Sequence, residues 1–145
     1  MSALALLLLG DRGTDIGTLR PVEVVQLTEE RGVLILKTDT GDYGWGLTVE
    51  QAVRKLKETT PGEIYLDTAD FLLLKEGMDE YIPELRNHLQ KNTRVVYAGE
   101  SVNLQDAVAY LRIHRPETVI KSLENPAEKL VFVGGKIVLK KIQEN

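Results

Sequence analysis

The spacing of hydrophobic residues changes repeatedly along this chain, and those changes restrict what it can fold into. In "TLRPVEVVQL" (18–27) Val22 and Val24 alternate with Glu23 before the run continues through Val25 to Leu27, and "VLILKTD" (33–39) follows after the turn "EERG" (29–32). Both read as strands of one hairpin, with Pro21 near the start of the first, where a strand tolerates it best. The period then lengthens. Val49, Ala52, Val53 and Leu56 fall at i, i+3, i+4 and i+7, one face of a helix ended by "TTPG". "EIYLD" (63–67) reads as a strand and "FLLL" (71–74) as a short buried run. Met78, Tyr81, Ile82, Leu85 and Leu89 mark a second helix, with Asp79 as N-cap and Pro83 in its first turn. "RVVYA" (94–98) is a strand. Leu104, Ala107, Val108 and Leu111 form a third helical stripe, capped by Asn103 and stopped by Pro116. The tail 129–142 is two strands joined by Gly134-Gly135. Strands alternating with helices in the middle, and antiparallel hairpins at both ends, predict a single α/β domain over residues 1–145, a mixed sheet with about three helices packed on it.

Composition narrows the function classes. The 145 residues carry 43% hydrophobic and 28% charged side chains, the balance of a globular domain. A net charge of -4, with no run of Lys or Arg longer than Lys140-Lys141, argues against a nucleic-acid surface. The chain has no cysteine, so disulfides, thiolate nucleophiles and thiolate metal sites are excluded. Its apolar opening, Ala3 to Leu9, is far shorter than the roughly 20 residues that span a bilayer, and no basic segment precedes it. It reads as a buried strand ended by Gly10-Asp11.

"TGDYGWGLTVEQAV" (40–53) places Gly41, Gly44 and Gly46 between a strand and a helix, the setting of a phosphate-binding loop. The spacing is G-x-x-G-x-G rather than G-x-G-x-x-G, however, and no Gly-Lys-Ser/Thr follows. Thr48 with Gln51 forms a T-x-x-Q capping box that occupies the helix's own amides. Tyr43 and Trp45 would crowd a pyrophosphate. The segment therefore reads as a strand-to-helix turn. Its two aromatics are a candidate partner-binding patch, since such residues are enriched at interface hot spots.

Other chemistry is sparse. Asp67 and Asp70 in "LDTAD" are expected at the carboxyl end of a central strand, where open α/β sheets bind ligands. Paired carboxylates can hold a metal or serve as acid and base, but Asp residues also organise turns through backbone amides. Asp39 and Asp42 read the same way. His88 and His114 lie far apart with no i, i+4 partner, and Ser101 has neither a G-x-S-x-G elbow nor an adjacent base. No catalytic constellation, cofactor site or metal site emerges.

The order and character of residues 3–98 resemble the N-terminal domain of the Ger(x)C spore-germination lipoproteins. The resemblance rests on "ALALLLLGDRG", the extended "LRPVEVVQLT", the helix start "GLTVEQAVRKL", then "EIYLDTADFLLLKEG" and "RVVYA". The chain departs from that family in carrying "LDTAD" where a His usually follows the strand, in lacking the lipid-bearing Cys, and in ending with a helix and hairpin. The resemblance implies a non-enzymatic domain that works through protein contacts at or near a membrane surface in a spore-forming bacterium. The expectation is thus a binding or assembly module using Tyr43 and Trp45. The alternative is a small nucleotide- or metal-dependent enzyme using the Gly41–Gly46 loop with Asp67 and Asp70.

Overall fold

The computed structural model describes residues 19–142. The expected opening strand Ala3 to Leu9 lies outside them. Nine strands and three helices follow in order. They are β1 (Leu19–Pro21), β2 (Val24–Glu30), β3 (Val33–Thr38), β4 (Tyr43–Gly46), α1 (Val49–Thr59), β5 (Glu63–Tyr65), β6 (Phe71–Leu74), α2 (Ile82–Arg86), β7 (Arg94–Tyr97), α3 (Leu104–Ile113), β8 (Glu128–Val133) and β9 (Lys136–Lys141).

Seven strands form one mixed sheet in the order β4-β3-β2-β6-β7-β8-β9, while β1 and β5 pair separately and in parallel. β2, β6, β7 and β8 run parallel. Antiparallel β3 and β4 complete one side, and β9 the other. The mixed sheet with helices and terminal hairpins that the periodicity predicts is therefore observed.

All four residues of β6 are buried, because this central strand is covered on both faces. On one face, Val25, Leu27, Leu36, Leu72, Leu74 and Val95 pack with the α1 stripe Val49, Ala52, Val53 and Leu56 and with Ile82 and Leu85 of α2. On the other, Val24, Phe71, Leu73 and Val96 pack under Ala107, Val108 and Leu111 of α3. The two hairpins close through two-residue turns with left-handed φ, Arg31 and Gly32 at 53° and 82° and Gly134 and Gly135 at 60° and 81°, which match the twist of the strands they join.

Four local expectations change. The run 18–27 is not one strand: β1 stops at Pro21 and β2 starts at Val24, because two side chains hold the chain between them. Asp39 Oδ1 accepts the N–H groups of Glu23 and Val24, each at 2.9 Å, and Thr68 Oγ1 both accepts the Val22 N–H and donates to the Val22 carbonyl. Residues 29–30 belong to β2, so the turn is shorter than "EERG". "EIYLD" is not the central strand. β5 ends at Tyr65, a 3-10 turn follows over Leu66–Thr68, and β6 takes the central place.

The second helix is the fourth change, since it is only five residues long and follows a 3-10 turn over Asp79–Tyr81. Asp79 does not cap it. Its carboxylate instead accepts the Tyr97 hydroxyl proton at 2.5 Å. Pro83 does sit in the first turn. Thr48 and Asn103 cap α1 and α3 as expected.

Strand β4 meets α1 at unusually short range. A Cβ built on Gly44 would lie 2.2 Å from the Ala52 carbonyl oxygen and 2.4 Å from the Leu56 nitrogen, both backbone atoms of α1. Gly46 is similarly tight against Gln51 and Ala52. Gly44→Ala should therefore cost about 3 kcal/mol, because neither the strand nor the helix backbone can yield locally. Gly99→Ala, with no atom near the added methyl, should stay within about 0.5 kcal/mol of wild type. Urea midpoints at constant slope measure both.

Burial, and then the bond to Asp79, hold the Tyr97 phenol far above its ordinary pKa near 10. Above that pH the unfolded chain gives up a proton that the folded chain keeps, so stability falls as pH rises. Denaturant midpoints read from pH 9 to 11 should decline more steeply for wild type than for Tyr97→Phe.

Candidate interaction surface on an edge strand

The glycine segment is a strand and not a turn. β4 pairs antiparallel with β3, Lys37 against Tyr43 and Ile35 against Trp45. Side chains alternate across a strand, so the face that brings Gly44 and Gly46 onto α1 sends Tyr43 and Trp45 to the opposite face. There they stand 55% and 40% exposed, with ring centroids 5.7 Å apart. Val33 and Ile35 of β3 lie half-buried beside them. Together with Glu30 and Arg31 these side chains line a depression of about 430 Å³.

This part of the sheet is uncovered among the described residues because of where α3 lies. Gln105 Nε2 donates to the Asp39 carbonyl at 3.2 Å, and the Arg112 guanidinium pairs with the Glu23 carboxylate. Both contacts pin α3 near the amino ends of the parallel strands, where Asp39 meets Glu23 and Val24. The guanidinium is held above its ordinary pKa, first by the hydrogen bond to Glu23 and then by its charge. Among the described residues, those that line the depression with Val33, at the far end of β3, include none from a helix.

The other side of β4 is a groove of about 430 Å³ against α1, lined by Trp45, Leu47, Gln51, Arg54, Lys55 and Glu58. Leu47 is 70% exposed. Lys55 Nζ sits 5.2 Å from the centroid of the Trp45 ring, within cation–π range, and 3.8 Å from Glu58. Sequence reasoning found Tyr43 and Trp45 but missed this wall. Val33 and Ile35 were within reach of it, since they alternate with the buried Leu34 and Leu36.

Among the described residues, the depressions that Gly41 and Gly46 line include neither Asp67 nor Asp70, and Asp67 borders a separate one. The space above Gly44 and Gly46 is filled by α1 itself. At the helix start, Thr48 Oγ1 accepts the Gln51 N–H, and Gln51 Oε1 accepts the Leu47 N–H, one residue earlier than in the usual capping box.

Asp70 directly precedes β6 and its N–H bonds to the Glu23 carbonyl, which puts it at the amino ends of the parallel strands. That corrects the expected carboxyl-end placement. Its Oδ1 accepts from Gln90 Nε2 at 3.2 Å, and Asp67 is exposed in the 3-10 turn. Asp39 holds backbone amides, as a turn-organising Asp does. Asp42 Oδ2 accepts the Thr40 hydroxyl.

His88 Nε2 lies 2.7 Å from Glu50 Oε1 and ties the chain after α2 to the start of α1. The His114 ring stacks on Tyr110 at the end of α3. Ser101 is exposed in the loop after β7. Among the described residues no three His, Asp or Glu side chains converge as a metal site, and no helix is long and apolar enough to cross a membrane. No protein-family model, curated protein or solved structure matches the chain.

Trp45, the chain's only tryptophan, reports on this surface directly. Its emission should be quenched by both iodide and acrylamide. Lys55→Glu should lower the iodide constant roughly twofold by replacing a local cation with an anion, and leave acrylamide quenching unchanged.

Proposed function

We propose that this domain is a binding or assembly module that works through protein contacts, with the Tyr43–Trp45 face of β4 as its contact surface. The single observation that carries this reading is the exposure of both aromatics on a strand whose opposite face is locked to α1. Rigid aromatic side chains provide large contact area at little cost in conformational entropy, and Trp and Tyr are prominent among residues whose truncation weakens interfaces. A link to sporulation or germination rests on the resemblance to the Ger(x)C domains.

The test uses wild type and the double variant Tyr43→Ser/Trp45→Ser as immobilised baits on extracts of a spore-forming bacterium. Both side chains are exposed, so the two proteins should unfold at closely similar urea concentrations. Wild type should retain a defined partner, and the double variant should bind that purified partner about 30-fold more weakly, the loss of roughly 2 kcal/mol expected when hot-spot contacts are removed. Equal retention by both baits would overturn the reading. A saturable change in Trp45 emission with a nucleotide or divalent metal would instead favour the small enzyme.

A further inference from the structure

Resting on the reading of β4 as a contact surface, we propose that its partner is an extended acidic peptide that joins the sheet as an added strand between β4 and the flank of α1. The hydrogen-bond alternation of the β3–β4 ladder supplies the first part of the argument. The Thr38 N–H donates to the Asp42 carbonyl at 3.0 Å, so the hydrogen-bonded pairs that follow are Leu36 with Gly44 and Leu34 with Gly46. The N–H and C=O groups of Tyr43 and Trp45 therefore point away from β3. The Tyr43 carbonyl accepts the Thr59 hydroxyl at 3.2 Å. The Tyr43 N–H and both backbone groups of Trp45 have no partner among the described residues. Such a row of open donors and acceptors is a template for strand addition, a common mode of peptide recognition.

The walls give the occupant's character. Side chains of an added strand would alternate between the sheet face, beside Tyr43 and Ile35, and the groove against α1. The first side is apolar at Val33, Ile35, Tyr43 and Trp45, with the opposite charges of Glu30 and Arg31 also lining it. In the second, Arg54 and Lys55 stand over the edge, and Glu58 partly offsets Lys55 at 3.8 Å. Arg54 is exposed and has no carboxylate within ion-pair distance among the described residues.

A charged side chain over an open edge deters pairing with like edges. A second copy of this chain, added antiparallel about a two-fold axis, would bring its own Arg54 and Lys55 into the same groove. An acidic strand meets no such repulsion, and its carboxylates would draw Lys55 off the Trp45 ring. The fitting segment alternates apolar and acidic residues.

The probes are the blocked peptide TVEVEVT and its counterpart TVKVKVT, titrated against the full chain. Trp45 emission and exchange of the Trp45 amide provide the readouts. The acidic peptide should give a saturable emission change, slow exchange at Trp45, and bind about tenfold or more tightly than the basic one, with the difference shrinking in salt. Arg54→Glu/Lys55→Glu should reverse the order of the two peptides. Equal affinity for both, or binding without protection at Trp45, would overturn the proposal. A Trp45 amide already protected in the free protein would do the same. Dilution would then show whether a second copy or the chain itself holds the edge.

A natural partner that needs Trp45 but binds Arg54→Glu/Lys55→Glu unchanged would leave the contact surface standing and remove strand addition by an acidic peptide. A partner indifferent to Trp45 would remove both.

Discussion

Helix α1 and strand β4 meet backbone to backbone, and the character of this side of the molecule follows from that contact. With glycine at 44 and 46, the Ala52 carbonyl and the Leu56 amide approach the strand more closely than any side chain would allow. The helix can then bury Val49, Ala52, Val53 and Leu56 against β3 and β4 although β4 contributes no side chain to that face. The pleat leaves no choice about the remaining residues. Tyr43 and Trp45 must face the other way, where only the first residues of α3 come near, beside Tyr43.

The position of α3 is set by polar contacts at the amino ends of the parallel strands. Asp39 accepts two amides at the break between β1 and β2, and its carbonyl receives Gln105 from α3. Thr68 holds Val22 from the other side, and Glu23 receives Arg112. These residues, 15 to 89 positions apart in sequence, gather at one rim. Buried amides left without such partners would each cost about 1–3 kcal/mol, so the rim is a structural knot. Asp70 belongs to it through its own amide, which bonds to the Glu23 carbonyl.

What could be read from the sequence depended on whether a signal was local. The α1 stripe and its Thr48 cap, the α3 stripe and its Asn103 cap, and the Gly134-Gly135 hairpin all announce themselves within a few residues, and the structure has them. β4 does not, because two of its four residues are glycine and the reason for them is a helix that begins three residues later. "EIYLD" and "FLLL" exchanged roles for a related reason. Alternation suggests a strand with one wet face, whereas a strand inside a parallel sheet is apolar on both sides, as β6 is. Asp79 looked like a helix cap, but Tyr97 claims it from 18 positions away. The exposed aromatics were legible at the candidate surface. Arg54 and Lys55 were not, since only the close approach of α1 brings them to the edge.

The two margins of the sheet are unlike. At β9 the outward Leu139 N–H is received by the Tyr110 hydroxyl of α3 at 2.8 Å, while at β4 the outward groups of Trp45 have no such cover among the described residues. A strand arriving at β9 would have to displace the Tyr110 hydroxyl from the Leu139 amide, whereas one arriving at Trp45 displaces no backbone partner among the described residues.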